Sequence, residues 1–282
     1  MKSLRHFIRK DRILEKVIQR IMFSRALRDI YQGLMQWELW ARLGWHEIRR
    51  RYARTVLGPF WSALNLAVFV IAVGFVFSNL WGTDLKTFLP FLSTGVTTWL
   101  FISALMTEGC GIYSANQGVL KQFAFPKTVF ALQCVWRNFI VFGHNLIVCL
   151  IVAIIFSVDL TLNSLFLIPG LFIVLLNGVW VGLVLGILCA RFRDVQPLIG
   201  SFLQIMMLVT PVFWPPEQVG DLKPLIVDSN PLYHFLSIVR EPLLGHAPSA
   251  LNWSVSLSLT LLGWALALYM FTKFRHRVIY WV

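Results

Sequence analysis

The chain has 282 residues, of which 57% are hydrophobic and only 13% charged, and its mean hydropathy is +0.70. A soluble domain of this length carries about a quarter charged residues, so composition excludes an ordinary water-facing globule and requires lipid to cover the remaining apolar surface. The net charge of +12 does not point to nucleic acid: 14 of the 25 Lys and Arg precede Thr55, ahead of the first long apolar run, where a basic face anchors to anionic lipid headgroups.

In chain order, residues 1–30 place the apolar pairs Ile13 and Leu14, Val17 and Ile18, and Ile21 and Met22 at helical spacing with Arg and Lys between them, which predicts a basic amphipathic helix. Charges every few positions leave no continuous apolar core for a secretory signal peptide, so the first span is expected to act as its own insertion signal. A second amphipathic helix follows. Trp37, Trp40, Ala41, Gly44, Trp45, Ile48 and Tyr52 share one stripe, while Arg42, Glu47, Arg49, Arg50 and Arg54 occupy the rest. Three tryptophans on an apolar face suit the headgroup boundary, where an indole buries its rings and keeps its N–H wet.

Six membrane spans are predicted, over roughly 57–81, 88–112, 129–157, 165–190, 197–215 and 250–271, at about 20 residues per crossing. The expected fold is therefore an all-α integral membrane protein, with a cytoplasmic arm and interface helix over 1–56 and a transmembrane domain over 57–282. Within 216–249 the apolar stretch Leu232–Leu244 is interrupted by His234, Arg240, Glu241 and Pro242 and is too short to cross. It reads as a re-entrant or interfacial helix pair on the outer side, opened by Asn230–Pro231 and closed by Gly245. Counting Lys and Arg with the N-terminus inside puts 21 on the cytoplasmic side and three (Lys86, Lys223 and Arg240) outside, with Arg137 inside a span. That division predicts both termini in the cytoplasm.

Glycines 178, 182 and 186 form a double small-xxx-small repeat, expected to pack within the chain rather than between chains. The four cysteines lie in or beside apolar runs without metal-binding spacing and read as small buried residues. No GxxxxGK[ST] loop, GxGxxG, HExxH or GxSxG occurs, so no nucleotide, cofactor, metal or catalytic site is expected on this chain. Glu108 and Arg137 stand out, because an ionisable group within a span is costly. Both fall toward the cytoplasmic ends of their spans, where an ion pair or snorkelling to the interface accounts for them as well as transport chemistry does. Two compact cytoplasmic segments, Asn116 to Lys127 and Arg191-Phe192-Arg193-Asp194, offer docking points for a soluble partner, and Asp194 ahead of Pro197 is a helix-start signal.

The succession of a basic amphipathic helix, Arg51-Tyr52-Ala53-Arg54-Thr55-Val56-Leu57-Gly58-Pro59-Phe60-Trp61, then Asn116…Lys121…Phe125-Pro126, then Arg191-Phe192-Arg193-Asp194, then Asn230-Pro231…Arg240 resembles the permease subunits of type-2 ABC exporters of polysaccharide. The likeness covers about residues 35–282 and is greatest to the branch that exports lipid-linked O-antigen, with capsule and teichoic-acid exporters as relatives. It implies a homodimer in a bacterial inner membrane, served by two copies of a separate ATPase subunit that binds the ATP and Mg. Asn116, Lys121, Phe125, Pro126 and Arg191 to Asp194 would then couple to that subunit, and Asn230, Pro231 and Arg240 would belong to a periplasmic gate. Residues 1–34 extend beyond the pattern.

A sugar polymer needs a lined path, since each buried hydroxyl without a partner costs on the order of 1–3 kcal/mol. Trp61, Phe69, Phe77, Trp99, Phe101 and Trp180 are candidate lining rings, against ordinary packing or lipid contact. Arg49, Arg50, Arg51 and Arg54 suit the diphosphate of a lipid carrier, and equally a membrane anchor. The alternatives are a type-2 permease for capsule, teichoic acid, a drug or another lipid, a membrane enzyme acting on a lipid-linked sugar, and a secondary transporter.

Overall fold

The computed structural model describes residues 22–282, and among these no strand forms. The apolar pairs at Ile13–Leu14 and Val17–Ile18, and Ile21, lie outside the described residues. The helices are α1 (22–35), α2 (Trp37–Arg51), α3 (Phe60–Trp81), α4 (Leu85–Cys110), α5 (Gln117–Gln122), α6 (Thr128–Ile155), α7 (Leu167–Arg191), α8 (Val195–Val209), α9 (Pro231–Leu243), α10 (Ala250–Phe274) and α11 (Val278–Trp281).

Among the described residues, five helices are long and apolar enough to cross a membrane: α3, α4, α6, α7 with the short turn that leads into it, and α10. Their ends follow local chemistry. Gly82 stops α3 in the left-handed conformation (φ +63°), and the Asp84 carboxylate then accepts from Lys86 N at 3.0 Å to open α4. The expected fifth span, 197–215, is helical only over its first part. Only the 15 residues of α8 are helical, about 22 Å at 1.5 Å per residue, against a hydrocarbon core of about 30 Å. Pro211 is the reason: the residue before a proline is pushed out of the helical region, and Thr210 is extended (φ −77°, ψ 135°).

α4 is the central helix, packed on α3, α6, α7 and α9. The glycine repeat of α7 does pack inside the chain. A Cβ on Gly109 of α4 would lie 3.2 Å from Gly182 Cα, and one on Gly186 would meet Ile112 at 2.6 Å, so only glycine allows these helices to approach so closely. The four cysteines are free and buried, as their apolar surroundings predict.

At one end of the bundle α9 packs against α4, α7 and α10. Asn230 opens it, its side chain accepting from Leu232 N at 3.0 Å, and Gly245 closes it at φ +81°. Arg240 does not belong to an outer loop. Its side chain is 0% exposed, donates to the Pro211 carbonyl at 2.7 Å and sits 4.3 Å over the Phe91 ring. The physical reason is the broken helix: with α8 interrupted at Thr210, a freed carbonyl inside the bundle needs a donor.

At the other end, α1 is held by Asp29. One carboxylate oxygen accepts from Thr128 N (3.2 Å) and Thr128 Oγ1 (2.9 Å) at the start of α6, and the other pairs with Arg275 at 3.2 Å. Lys127 donates to the Arg275 carbonyl beside them. Burial pulls the Lys127 ammonium below its usual pKa, with Asp29 opposing the shift and Arg275 adding to it. Replacing Asp29 with Ala removes three bonds that fasten α1 to α6 and α10. That loss is expected to cost about 1–3 kcal/mol of local docking and to speed tryptic cleavage at Arg25 and Arg28, with the rest of the chain unchanged. Limited proteolysis in detergent reads this out, and an unchanged cleavage rate would show that the carboxylate does not hold the arm.

Candidate functional site

The apolar stripe of α2 divides in two. Gly44 and Ile48 are buried against the bundle, Trp40 meets the Trp136 ring edge-on at 5.9 Å, and Trp37 and Trp45 stay exposed. A Cβ on Gly44 would approach the Gln133 carbonyl at 3.3 Å, so α2 lies directly along α6. This seating presents Glu47 and Arg51, four residues apart on one face, to the two spans behind them.

There a five-residue charged network forms. Arg51 Nη2 pairs with Glu108 Oε1 at 2.9 Å. The other oxygen of Glu108 receives Arg137 Nη2 at 2.5 Å, Arg137 Nε at 3.2 Å and Asn138 Nδ2 at 2.8 Å. Arg137 also pairs with Glu47. The ion pair between Glu108 and Arg137 that the sequence raised as one explanation is thus present, within a wider alternation of two carboxylates and two guanidiniums. The balance of charge makes the arrangement tolerable, because a single buried charge without a partner would cost several kcal/mol.

The network's four charged residues line a cavity of about 630 Å³ that Arg50, Asn116, Gln133 and Gln196 also reach. Arg50 adds a positive charge with no acidic partner among the described residues, so the lining carries a surplus of one. Gln133 is buried and its Oε1 has no hydrogen-bond partner. Together these groups can hold a phosphate on guanidinium donors and accept from a neighbouring hydroxyl. The other two arginines of the expected cluster, Arg49 and Arg54, are exposed and do not line the cavity.

The two expected docking segments lie at this same end. Asn116 precedes α5 and donates back to the Ile112 carbonyl at 2.9 Å; Lys121 is exposed on α5, and Phe125 and Pro126 are half-buried in the loop that follows. Arg191 ends α7, with its guanidinium 5.3 Å from the Phe192 ring and 5.1 Å from the Trp281 ring. Phe192, Arg193 and Asp194 are exposed in the break before α8. Asp194 does stand at the N-cap of α8, but its side chain makes no capping bond. The short helix α11 packs on both α5 and α7 and joins the two segments. Sequence reasoning missed that bridge, whose one signal was the Trp281 beside a basic tail.

The proposed lining rings divide. Trp61 and Phe69 are exposed on α3, and Phe77 is half-buried against Trp81 at 4.7 Å. Trp99 and Phe101 lie elsewhere. They are 2% and 3% exposed in the chain's own core, and Phe101 stacks on Phe142 at 4.6 Å, because α4 is enclosed by its neighbours. Trp180 is also committed inside the bundle, donating to Asn177 Oδ1 at 2.6 Å with its ring over Gly263 of α10. Of the gate residues, Asn230 donates to Thr210 Oγ1 at 2.8 Å, Pro231 is the first residue of α9, and Arg240 is locked on Pro211. Asn230 and Arg240 fasten α9 to the end of α8.

The sequence signalled Glu108 and Arg137 but not Glu47, Gln133 or Asn138. Glu47 at four residues before Arg51 was the available hint; the two amides resemble any other polar residue near a span end.

Five apolar helices around a buried core, with a charged cavity under a tryptophan-bearing amphipathic helix, define a multi-pass membrane protein. The chain belongs to the ABC-2 type transporter family, whose model matches residues 38–244. It is therefore a transport permease. Among its relatives, the "O-antigen export system permease protein RfbA" of Klebsiella pneumoniae is 23% identical over 235 residues, which cover 82% of this chain and 90% of the relative. A protein of the same name from Myxococcus xanthus is 23% identical over 217 residues, covering 76% of this chain and 82% of that one.

Proposed function

We propose that this chain is the channel-forming subunit of an ATP-driven exporter that carries lipid-linked, O-antigen-like polysaccharide across a bacterial inner membrane from cytoplasm to periplasm. It works as a homodimer with two copies of an ABC ATPase subunit, which hold the ATP and Mg. Both termini face the cytoplasm, in line with the positive-inside division, to which Arg240 no longer contributes as an outer charge. The sixth crossing is made by α8 with its irregular continuation: residues 210–212 are buried, which is the condition under which non-helical backbone is tolerated at membrane depth.

The observation that carries the substrate class is the charged cavity. A diphosphate-linked lipid arrives with its anionic group at the inner headgroup level, where α2 places Arg50 and Arg51 at the cavity wall. Arg51 is shared with Glu108, so a phosphate offering more acceptor oxygens exchanges for that carboxylate and frees the α2 side of the network. The breaks at Asn116 to Pro126 and Arg191 to Asp194, tied through α11, transmit the push of the ATPase to α4, α6, α7 and α8.

Neutralising Arg50 and Arg51 together (Arg50→Gln with Arg51→Gln), the two arginines at the cavity wall, is expected to abolish export while membrane insertion and ATPase docking persist. Export of lipid-linked polysaccharide from inverted vesicles, with co-purification of the ATPase as control, decides it; normal export by the double variant would sink the headgroup assignment.

A further inference from the structure

A second cavity, of about 480 Å³, opens between α1, the loop after α5 and the end of α10. Arg25, Arg28, Gln32 and Gln36 line it from the α1 side, Phe125 and Pro126 from the loop, and Arg275 from the far side. Among the described residues Asp29 is its one acidic residue, and both oxygens of Asp29 are already engaged by Thr128 and Arg275. Among the described residues neither the Arg25 nor the Arg28 side chain has an acidic partner. The described lining therefore holds two positive charges in excess. His276 next to it feels the same field: burial lowers its pKa, and Arg277, Lys127 and Arg275 lower it further.

The wall is not only basic. Phe123 is exposed and stacks on Phe125 at 5.6 Å, so a flat apolar step adjoins the guanidiniums. Arginine beside exposed aromatic rings is the composition of protein contact surfaces. The helix itself separates this wall from lipid. At 3.6 residues per turn, Phe23, Leu27, Tyr31, Leu34 and Met35 form an exposed apolar stripe, and Arg25, Arg28, Gln32 and Gln36 lie roughly a third of a turn round from it. With that stripe at the membrane boundary, the basic wall turns away from the bilayer. The loop it adjoins is one of the two segments assigned above to meeting the ATPase, while α1 precedes the family match at 38–244.

From this juxtaposition we infer that the cavity receives a carboxylate-bearing segment of the ATP-hydrolysing partner, so that α1 supplies a basic half to the partner-docking surface. The inference rests on the transporter reading and adds a residue set and a partner chemistry to it. Long-range attraction speeds such docking and makes it sensitive to salt.

The test measures binding of the cognate ATPase subunit to the full chain in phosphatidylcholine nanodiscs, across a salt series. Arg25→Glu with Arg28→Glu is expected to weaken binding at least about tenfold and to flatten its salt dependence, and Arg25→Lys with Arg28→Lys to retain most of the affinity. Equal affinity for the wild-type chain and the charge-reversed variant overturns the inference while leaving the transporter reading intact. So does a variant that keeps its partner but, in nanodiscs to which phosphatidylglycerol is added, loses retention of that lipid, which would make the cavity a lipid site. A wild-type chain that binds no ATPase would overturn both.

Discussion

Replacing Arg137 with Met is expected to lower the melting temperature more than any other single change at the charged cavity and to loosen α2 from the bundle. Arg137 holds Glu47 of α2 and Glu108 of α4 at once, and its side chain is only 13% exposed. Without it the two carboxylates face one cavity with Arg51 and Asn138 as the remaining close donors. Breaking one member of a buried ion network costs about 3–5 kcal/mol, because the charge left behind keeps its desolvation penalty and loses its compensation. Thermal unfolding in detergent reads the stability, and disulfide trapping between cysteines placed on α2 and α6 reads the docking. Adding Glu47→Gln to Arg137→Met should recover part of the loss, since it removes the stranded charge. A double variant no more stable than the single one would show that Glu47 is not the group stranded.

Arg240→Ala is expected to have the second large effect, at the opposite end of the bundle. The guanidinium donates to the Pro211 carbonyl, lies over Phe91 and is accompanied by Glu241 Oε1 at 3.7 Å from its Nε. Truncation leaves that carbonyl and carboxylate with less compensation and opens a void the size of an arginine side chain. Together these place the cost at about 3–5 kcal/mol. The consequence is positional as well as energetic, because the same contact sets where the end of α8 meets α9. Arg240→Ala should therefore speed hydrogen exchange over 208–215 and 231–243 together, whereas Arg240→Lys, which keeps one donor, should recover part of the protection. Exchange that rises in only one of these segments would show that Arg240 does not join them.

The gate and lining assignments show how much of the site was legible. Asn230–Pro231 and Gly245 mark the ends of α9 through short-range rules, a capping amide, a proline at the first helical position and a glycine with positive φ, and all three can be read from adjacent residues. Arg240 could not be. An arginine in an interrupted apolar stretch resembles a loop charge until the break at Pro211 is seen to leave a carbonyl that needs it. The burial of Trp99 and Phe101 was hidden for a related reason: hydropathy identifies a span but not whether its face meets lipid, a lumen or another helix, and α4 happens to be the enclosed one.

By itself, the sequence determined the membrane class, the positions of five long apolar helices, the amphipathic helix with its tryptophans, and two ionisable residues too deep to be incidental. These follow from hydropathy and from spacing within a few residues, which are local properties of the chain. The tertiary structure decided which charges share a cavity, that Arg240 serves the carbonyl freed at Pro211, and that α11 bridges the two cytoplasmic breaks. Those features join residues 57 apart in the Arg51–Glu108 bond and 99 apart in the Asp29–Thr128 bond. At such separations no periodicity carries information, and only the packing of one helix against another chooses the partner.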